Sequence, residues 1–359
     1  MTRSDMPWKT FSAAALVTAG LAMPASAALN DLQALTSFSG DGWLSPAEAG
    51  GDLASANLVR SMAFNSATGN VLFVDRNTVE AISGETGAVV STFDNTGVGG
   101  GTFNLNALGV TDDGVVYASN LTTNSTTSPL RIYRWADESS VPTAYFVGDG
   151  GAPAAGVRLG DALEVDGPDA TGQIAAGFSG AVGFGVIPTG AATPAATGVS
   201  YAGTAPNAGD YRLGITFADA DTVLGTQGTS RQITTFTGSA GVLDATVALT
   251  SASERGMDYA VIDGEAYLAT IDTVSNLVRL YDATDVENLV LLDSENLTTS
   301  TASNGNGTSA VSFGVLNGDP VLYALNTNNG IQAFSVVPEP ATAALLGLGG
   351  LAMLRRRGA

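Results

Sequence analysis

Cysteine and histidine are both absent from this 359-residue chain. Without cysteine there is no disulfide framework, no thiolate nucleophile and no Cys-ligated zinc. Without histidine there is no Ser-His-Asp triad, no His-ligated metal and no imidazole general base. Any catalysis is left to carboxylates, Tyr, Arg or a hard metal ion. Charge is scarce as well, at 13% of residues, and it is one-sided. Residues 28–337 hold nine Arg, no Lys and 32 Asp plus Glu, an excess of 23 negative charges. A surface of that sign repels phosphate backbones and anionic lipid, which argues against nucleic acid as a partner. It attracts cations and keeps a chain soluble, and the bulk acidity of salt-exposed proteins is the simpler reading.

Convincing helical periodicity is lacking between the two ends. The ends themselves are different. Arg3 and Lys9 precede an apolar run at 11–23, followed by Pro24, Ala25, Ser26 and Ala27. A basic start, a short apolar core and an A-x-A site predict a secretory signal peptide, cleaved after Ala27 with Ala25 as the alternative. The apolar run falls short of the roughly 20 residues of a membrane anchor. The other end reads Pro338, Glu339, Pro340, an apolar Gly-rich run at 341–354, and Arg355, Arg356 and Arg357. The run predicts a short membrane helix, with the arginines holding its end on the cytoplasmic side. These 22 residues closely resemble the PEP-CTERM sorting signal. The resemblance implies recognition by an exosortase-type transpeptidase in a host that makes extracellular polysaccharide. It carries no information about residues 28–337.

The middle repeats. Strand-like runs of Val, Ile, Leu, Phe and Tyr are cut by Gly, Asn and Asp. One unit has strands at 61–64, 71–75, 79–82 and 88–93. The same order recurs at 107–110, 115–119, 130–135 and 143–147, and again at 258–262, 266–270, 277–281 and 288–292. Weaker copies begin at 162 and 212, and a last one at 311 is one strand short. Four-stranded units spaced by roughly 45–55 residues predict propeller blades. Six blades are expected, with an N-terminal strand near 34–44 closing the ring and removing the free sheet edges. Glycine then belongs in inner strands and tight turns around a central channel. A large β-sandwich is the competing architecture. Segments 42–44, 60–65, 69–74 and 131–135 resemble exported bacterial propeller proteins of undefined function.

Few constellations carry chemistry. The stretch 37–48 mimics a calcium loop, with Gly42 at position 6, Leu44 at position 8 and Glu48 at position 12. Ser37 and Ser39 stand where strong carboxylate ligands belong, and no helix pair flanks it. The plainer reading packs Trp43 and Leu44 as the closing strand. Asp112, Asp113 and Gly114, then Asp219 and Asp221, then Asp263 and Gly264 fall between first and second strands, where turn chemistry is expected. A ring of such carboxylates holding Ca²⁺ is the minority alternative. Trp135, Tyr133, Tyr145, Tyr267, Tyr281 and Tyr323 could stack on sugars, but strand positions favour the core. Asn120, Asn124, Asn296 and Asn306 match a glycosylation pattern and suggest exposed loops at 119–128 and 296–309. Residues 188–209, rich in Ala, Pro, Thr and Gly, read as a mobile insertion. With 32 acids in the middle, sequence alone nominates no catalytic carboxylate pair.

The sequence therefore predicts an all-β chain in three parts: a signal peptide (1–27), a single six-bladed β-propeller (28–337) and a sorting signal with a short hydrophobic helix (338–359). The expected protein is exported to the cell surface or extracellular matrix. There it acts as a non-enzymatic binding or structural module associated with exopolysaccharide. A carboxylate-dependent glycan hydrolase or lyase is the alternative. The expected partners are an exosortase-type enzyme, exopolysaccharide or another matrix component, and the membrane through the transient C-terminal helix. No cofactor is expected, with Ca²⁺ as the one candidate, and no nucleic acid.

Overall fold

A computed structural model describes residues 28–49, 53, 57–296 and 302–338. Ala25, Ala27, Glu339, Pro340, Arg355, Arg356, Arg357 and the two apolar terminal runs lie outside the described residues.

Two short strands open the described chain, β1 (Asp31–Ala34) and β2 (Trp43–Leu44). The first sheet is β3 (Ser61–Asn65), β4 (Asn70–Val74), β5 (Val79–Ser83) and β6 (Val89–Thr92). The second is β7 (Phe103–Val110), β8 (Val116–Leu121), β9 (Leu130–Trp135) and β10 (Thr143–Gly148). The third is β11 (Leu163–Asp166), β12 (Gln173–Gly177), β13 (Phe184–Pro188) and β14 (Thr197–Gly198). In the fourth, β15 (Ser200–Tyr201) flanks β16 (Gly214–Asp219), β17 (Thr222–Thr226), β18 (Ser230–Thr237) and β19 (Ala240–Ala248). The fifth is β20 (Glu254–Ile262), β21 (Glu265–Asp272), β22 (Leu277–Asp282) and β23 (Val290–Asn296). The sixth has β24 (Ser309–Leu316), β25 (Asp319–Asn326) and β26 (Ile331–Val337), and β1 from the far end of the chain supplies its fourth strand.

The first strand of each sheet lies beside the first strand of the next, and β24 returns to β3, so the six sheets are blades around one axis. Closure is antiparallel, with Leu32 opposite Val336 and Asp31 opposite Val337. Trp43 and Leu44 pair with Gln332 and Ile331 further along β26. The predicted propeller and its six blades are present, but the strand that completes the sixth blade is Asp31–Ala34, ahead of most of the expected 34–44 stretch, whose Trp43 and Leu44 make only a second, short pairing with β26.

Period-two geometry explains the apolar runs of the second strands. In β4, Val71 and Phe73 pack towards the sixth blade, against Tyr323 and Leu325. Leu72 and Val74 point the other way, into a core with Val116, Tyr133 and Trp135 of the second blade. A strand buried on both faces reads as a continuous apolar run rather than an alternating one. The same division recurs around the ring, giving one apolar core per blade interface.

Inner strands meet where there is no room for a side chain. A Cβ on Gly214 of β16 would stand 2.0 Å from the Arg255 carbonyl oxygen of the next inner strand. Inner-strand backbone groups are also satisfied across blades. Ser61 Oγ accepts from Leu108 N at 3.1 Å, and Ser312 Oγ accepts from Phe64 N at 3.0 Å. The turn between β20 and β21 takes positive φ at both Asp263 (53°) and Gly264 (87°), as a two-residue hairpin requires.

Two expectations are corrected. The stretch 188–209 is not merely an insertion: it carries β14, the outer strand of the third blade, and β15, which pairs in parallel with β19. The loop 119–128 is only partly exposed. Ser119, Asn120 and Thr122 are buried. Asn120 is consumed internally, donating to Pro129 O and accepting from Arg131 N.

Candidate functional site: the axis of the ring

Two cavities lie on the axis, one at each end of the inner strands. The larger, about 330 Å³, sits where those strands finish, and is lined by Ser66, Asp112, Asp166, Phe217, Ile262 and Val315 among others. The smaller, about 40 Å³, sits where they begin, at Arg60, Asp161, Leu213, Gly256 and Ser309. Met62, Glu164 and Val311 line both and form the waist between them.

The wide mouth is acidic and apolar together. Glu164 and Asp166 enter it from β11, Asp258 from β20 and Asp112 from the end of β7. Asp258 Oδ2 accepts from Phe313 N of the neighbouring inner strand at 2.7 Å. Burial outweighs that hydrogen bond and pushes the Asp258 carboxyl up to about 7. Glu164 is pushed well above the ordinary carboxylate range, first by burial and then by the charges of Asp258 and Asp166. Asp166 is raised by burial, then by Asp112 and Asp219. Carboxyls that desolvate and repel one another in this way retain protons near neutral pH, so the mouth offers both acceptors and O–H donors. Tyr259 and Phe313 line the same space, and Val261 and Val315 at its rim are 62% and 54% exposed. Among the described residues lining it there is no Arg or Lys.

The narrow mouth is lined by Arg60 with Asp161 and Glu164, and further arginines stand around it. Arg60 stands just before β3, Arg158 and Asp161 before β11, Arg212 before β16, and Arg255 at the start of β20. Arg76 joins them from the turn after β4.

The turn acids singled out in the sequence mostly serve turns. Asp113 accepts from Asp169 N and Thr111 Oγ1, and Asp219 from Asp221 N. Asp112 alone of that group lines the cavity. Among the described residues no three carboxylates converge as metal ligands. In the calcium-like stretch, Asp41 accepts from Trp43 N. Glu48 and Ser45 each accept from the other's backbone N–H, a capping box around Pro46. Gly42 O accepts from Ala333 N, so the segment is stitched to β26, and Trp43 and Leu44 pack as strand residues. Trp135, Tyr133, Tyr267 and Tyr323 are buried between blades. Tyr145 donates to Pro188 O, and Tyr281 to Glu254 Oε1. None of the six lines the wide mouth.

Glu164 and Asp258 escaped sequence reasoning. Their only local signal is a lone acid inside an inner-strand run, Leu-Glu-Val at 163–165 and Met-Asp-Tyr at 257–259. Their proximity is created by the ring.

Comparisons with known proteins agree with this architecture. The family model described as "Domain of unknown function (DUF4623)" matches residues 62–299. The "PEP-CTERM protein-sorting motif" matches residues 336–357. That motif marks an exported cell-surface protein processed by an exosortase. No curated protein matches the chain. A crystal structure of a DUF4623 family protein from Bacteroides eggerthii is 20% identical with a TM-score of 0.60, covering 81% of this chain and 73% of that one. The major allergen Mala s 1 of Malassezia sympodialis is 11% identical with a TM-score of 0.55, covering 79% of this chain and 94% of that one. At these identities the likeness is one of fold.

Proposed function

The chain belongs to the DUF4623 family and carries a PEP-CTERM sorting motif, and from that premise we propose that it is a non-enzymatic surface module whose wide axial mouth binds exopolysaccharide. Export begins with cleavage after Ala27, or after Ala25. Processing at Pro338, Glu339 and Pro340 follows while Arg355, Arg356 and Arg357 hold the apolar helix on the cytoplasmic side.

The observation that carries the reading is the lining of the wide mouth. Partly protonated carboxyls give and accept hydrogen bonds, as sugar hydroxyls require. Tyr259 and Phe313 offer ring faces to the apolar side of a pyranose. A hard cation prefers fully ionised carboxylates, so the raised Glu164 and Asp258 favour a neutral polyol over Ca²⁺.

A second reading rests on the same pair. A protonated carboxyl beside another carboxylate is the acid-and-base arrangement of glycoside hydrolysis. The absence of a cationic substrate clamp among the described lining residues places it second.

The test is retention of the purified protein on arrayed neutral and acidic polysaccharides, with and without Ca²⁺, while reducing ends are followed. Retention without cleavage is expected, with Tyr259→Ala weakening it about tenfold, the equivalent of ~1.4 kcal/mol. Reducing ends that disappear in Glu164→Gln and Asp258→Asn would establish the hydrolase instead. Retention that Tyr259→Ala leaves unchanged would remove the wide mouth as the binding site.

A further inference from the structure

A second large cavity opens on the same face as the wide mouth. It too is about 330 Å³, and it lies farther from the axis, between the third and fourth blades. Gln173, Pro188 and Thr197 line it from the third blade and Phe236 from the fourth. Gln173 begins β12, Pro188 ends β13 and Thr197 begins β14. The cavity is therefore a groove that crosses the three outer strands of one blade.

Mouth and groove share a border. Asp166 lines the mouth, and its ladder partner Gln173 lines the groove. The turn between them has glycine at both ends. Gly167 lines the mouth and Gly172 the groove, and a Cβ on Gly167 would stand 3.2 Å from the Gly172 Cα. The ridge is thus one ladder rung wide, and neither glycine raises a side chain on it. It is also held in place. Gly172 N donates to Pro168 O at 2.7 Å, and Asp112 N to Gly167 O at 3.1 Å. Gln173 Nε2 donates to Ala220 O at 2.6 Å and ties the third blade to the first turn of the fourth. Tyr145 Oη, from the second blade, donates to Pro188 O at 2.6 Å. Groups fixed before a ligand arrives lose little freedom when it binds.

The lining selects against charge. Residues 28–337 hold 32 Asp plus Glu, yet among the described residues lining the groove none is ionisable. A cation or an anion finds no counter-charge there. Neutral hydrogen-bonding groups are offered instead. Thr171 and Thr197 are exposed groove residues, and neither hydroxyl has a partner among the described residues. Gln173 commits its amide nitrogen to Ala220 and leaves Oε1 without a donor among them. Phe236 gives the groove an apolar base, braced edge-on by Phe184 with ring centroids 5.8 Å apart. Hydroxyls, an amide oxygen and an apolar base match the O–H and C–H surfaces of an uncharged sugar.

We infer that the groove continues the wide mouth, so that the molecule takes several consecutive sugars of a neutral polysaccharide, running from the axis outward between the third and fourth blades. The inference rests on the polysaccharide reading of the mouth and narrows it to an uncharged chain longer than the mouth alone would hold. Each cavity by itself is at the small end of ligand clefts, roughly 300–1,000 Å³. A chain that occupies both makes its second contact intramolecularly, which multiplies affinity without any new type of contact.

The experiment is calorimetric titration of the full chain with cello-, malto- and manno-oligosaccharides, each as the disaccharide and the hexasaccharide. In the series that binds, the hexasaccharide should bind at least about tenfold tighter than the disaccharide. Thr171→Ala combined with Thr197→Ala, both at exposed positions, should bring that ratio close to one, and Tyr259→Ala should weaken both lengths. Thermal melts of each variant confirm that the blades remain folded. A hexasaccharide no tighter than the disaccharide, with both weakened by Tyr259→Ala, overturns the continuation and leaves the mouth as a site for short sugars. A length advantage that the double variant keeps overturns it as well. Hexasaccharide binding that the double variant loses and Tyr259→Ala leaves intact makes the groove a separate site, against both the continuation and the mouth. No binding of any probe overturns both readings together.

Discussion

Asp258 holds a carboxyl in a place that opposes its charge. Its acceptor bonds from the Phe313 and Tyr259 backbone do not offset burial, and the group sits at about 7. The unfolded value is about 3.9. The folded chain therefore binds this proton more tightly than the unfolded chain does. Stability from this group is intact below about pH 4, falls as the pH rises towards 7, and is flat beyond. Asp258→Asn keeps an acceptor for Phe313 N and removes the charge. The variant should match the parent near pH 4 and exceed it near pH 8 by roughly 10 °C in Tm, since the retained proton is worth about 4 kcal/mol at roughly 2–4 °C per kcal/mol. Calorimetry across that range checks it, and an unaltered pH slope would mean the carboxyl is not desolvated. A residual slope in the variant belongs to Glu164, raised in the same cavity. None of this was legible along the chain. Glu164 and Asp258 lie on the inner strands of the third and fifth blades, and only closure of the ring sets them in one cavity.

At the scale of elements, legibility followed burial. Strands buried on both faces, such as β4 and β25, announce themselves as apolar runs. β14 does not, because two residues, Thr197 and Gly198, inside an Ala- and Pro-rich stretch have no period to read. β19 is faint in the sequence for a different reason. Its alternation of exposed and half-buried residues is an outer-edge pattern with few large apolar side chains. The need for a closing strand is legible from the shortage it fills, since a sixth unit with three strands requires a fourth, but its position at Asp31–Ala34 is not. β1 is held by more than its ladder. Leu29 N donates to Tyr267 Oη, and Leu32 N to Asp293 Oδ2, both in the fifth blade. Leu32 is buried with Phe334 and Val336. Deleting residues 28–35 should leave β26 as an open edge, free to pair with another chain. We expect a lower denaturation midpoint and a shift towards dimers or larger species on size-exclusion chromatography. A monomer of unchanged midpoint would show that β2 alone closes the ring.

The whole molecule carries a net charge of −20 at pH 7. Self-repulsion on this scale works against the compact state and is screened within about 10 Å at 0.1 M salt. Raising sodium chloride from about 0.01 to about 0.5 M should therefore raise Tm by several degrees. A Tm that falls with salt would assign the net electrostatic effect to the Asp161 and Glu254 ion pairs instead.

Closure by β1 also sets a timetable. The strand made first in the described chain pairs with the strand made last, Asp31 against Val337. Contacts so distant along the chain form slowly, because the intervening loop must be closed before they contribute. Five blades can assemble while the sixth waits, and the ring becomes continuous only when β26 has arrived. The Pro-Glu-Pro of the sorting signal begins one residue beyond β26, at Pro338. A finished ring is thus a record that the chain has been delivered as far as Val337.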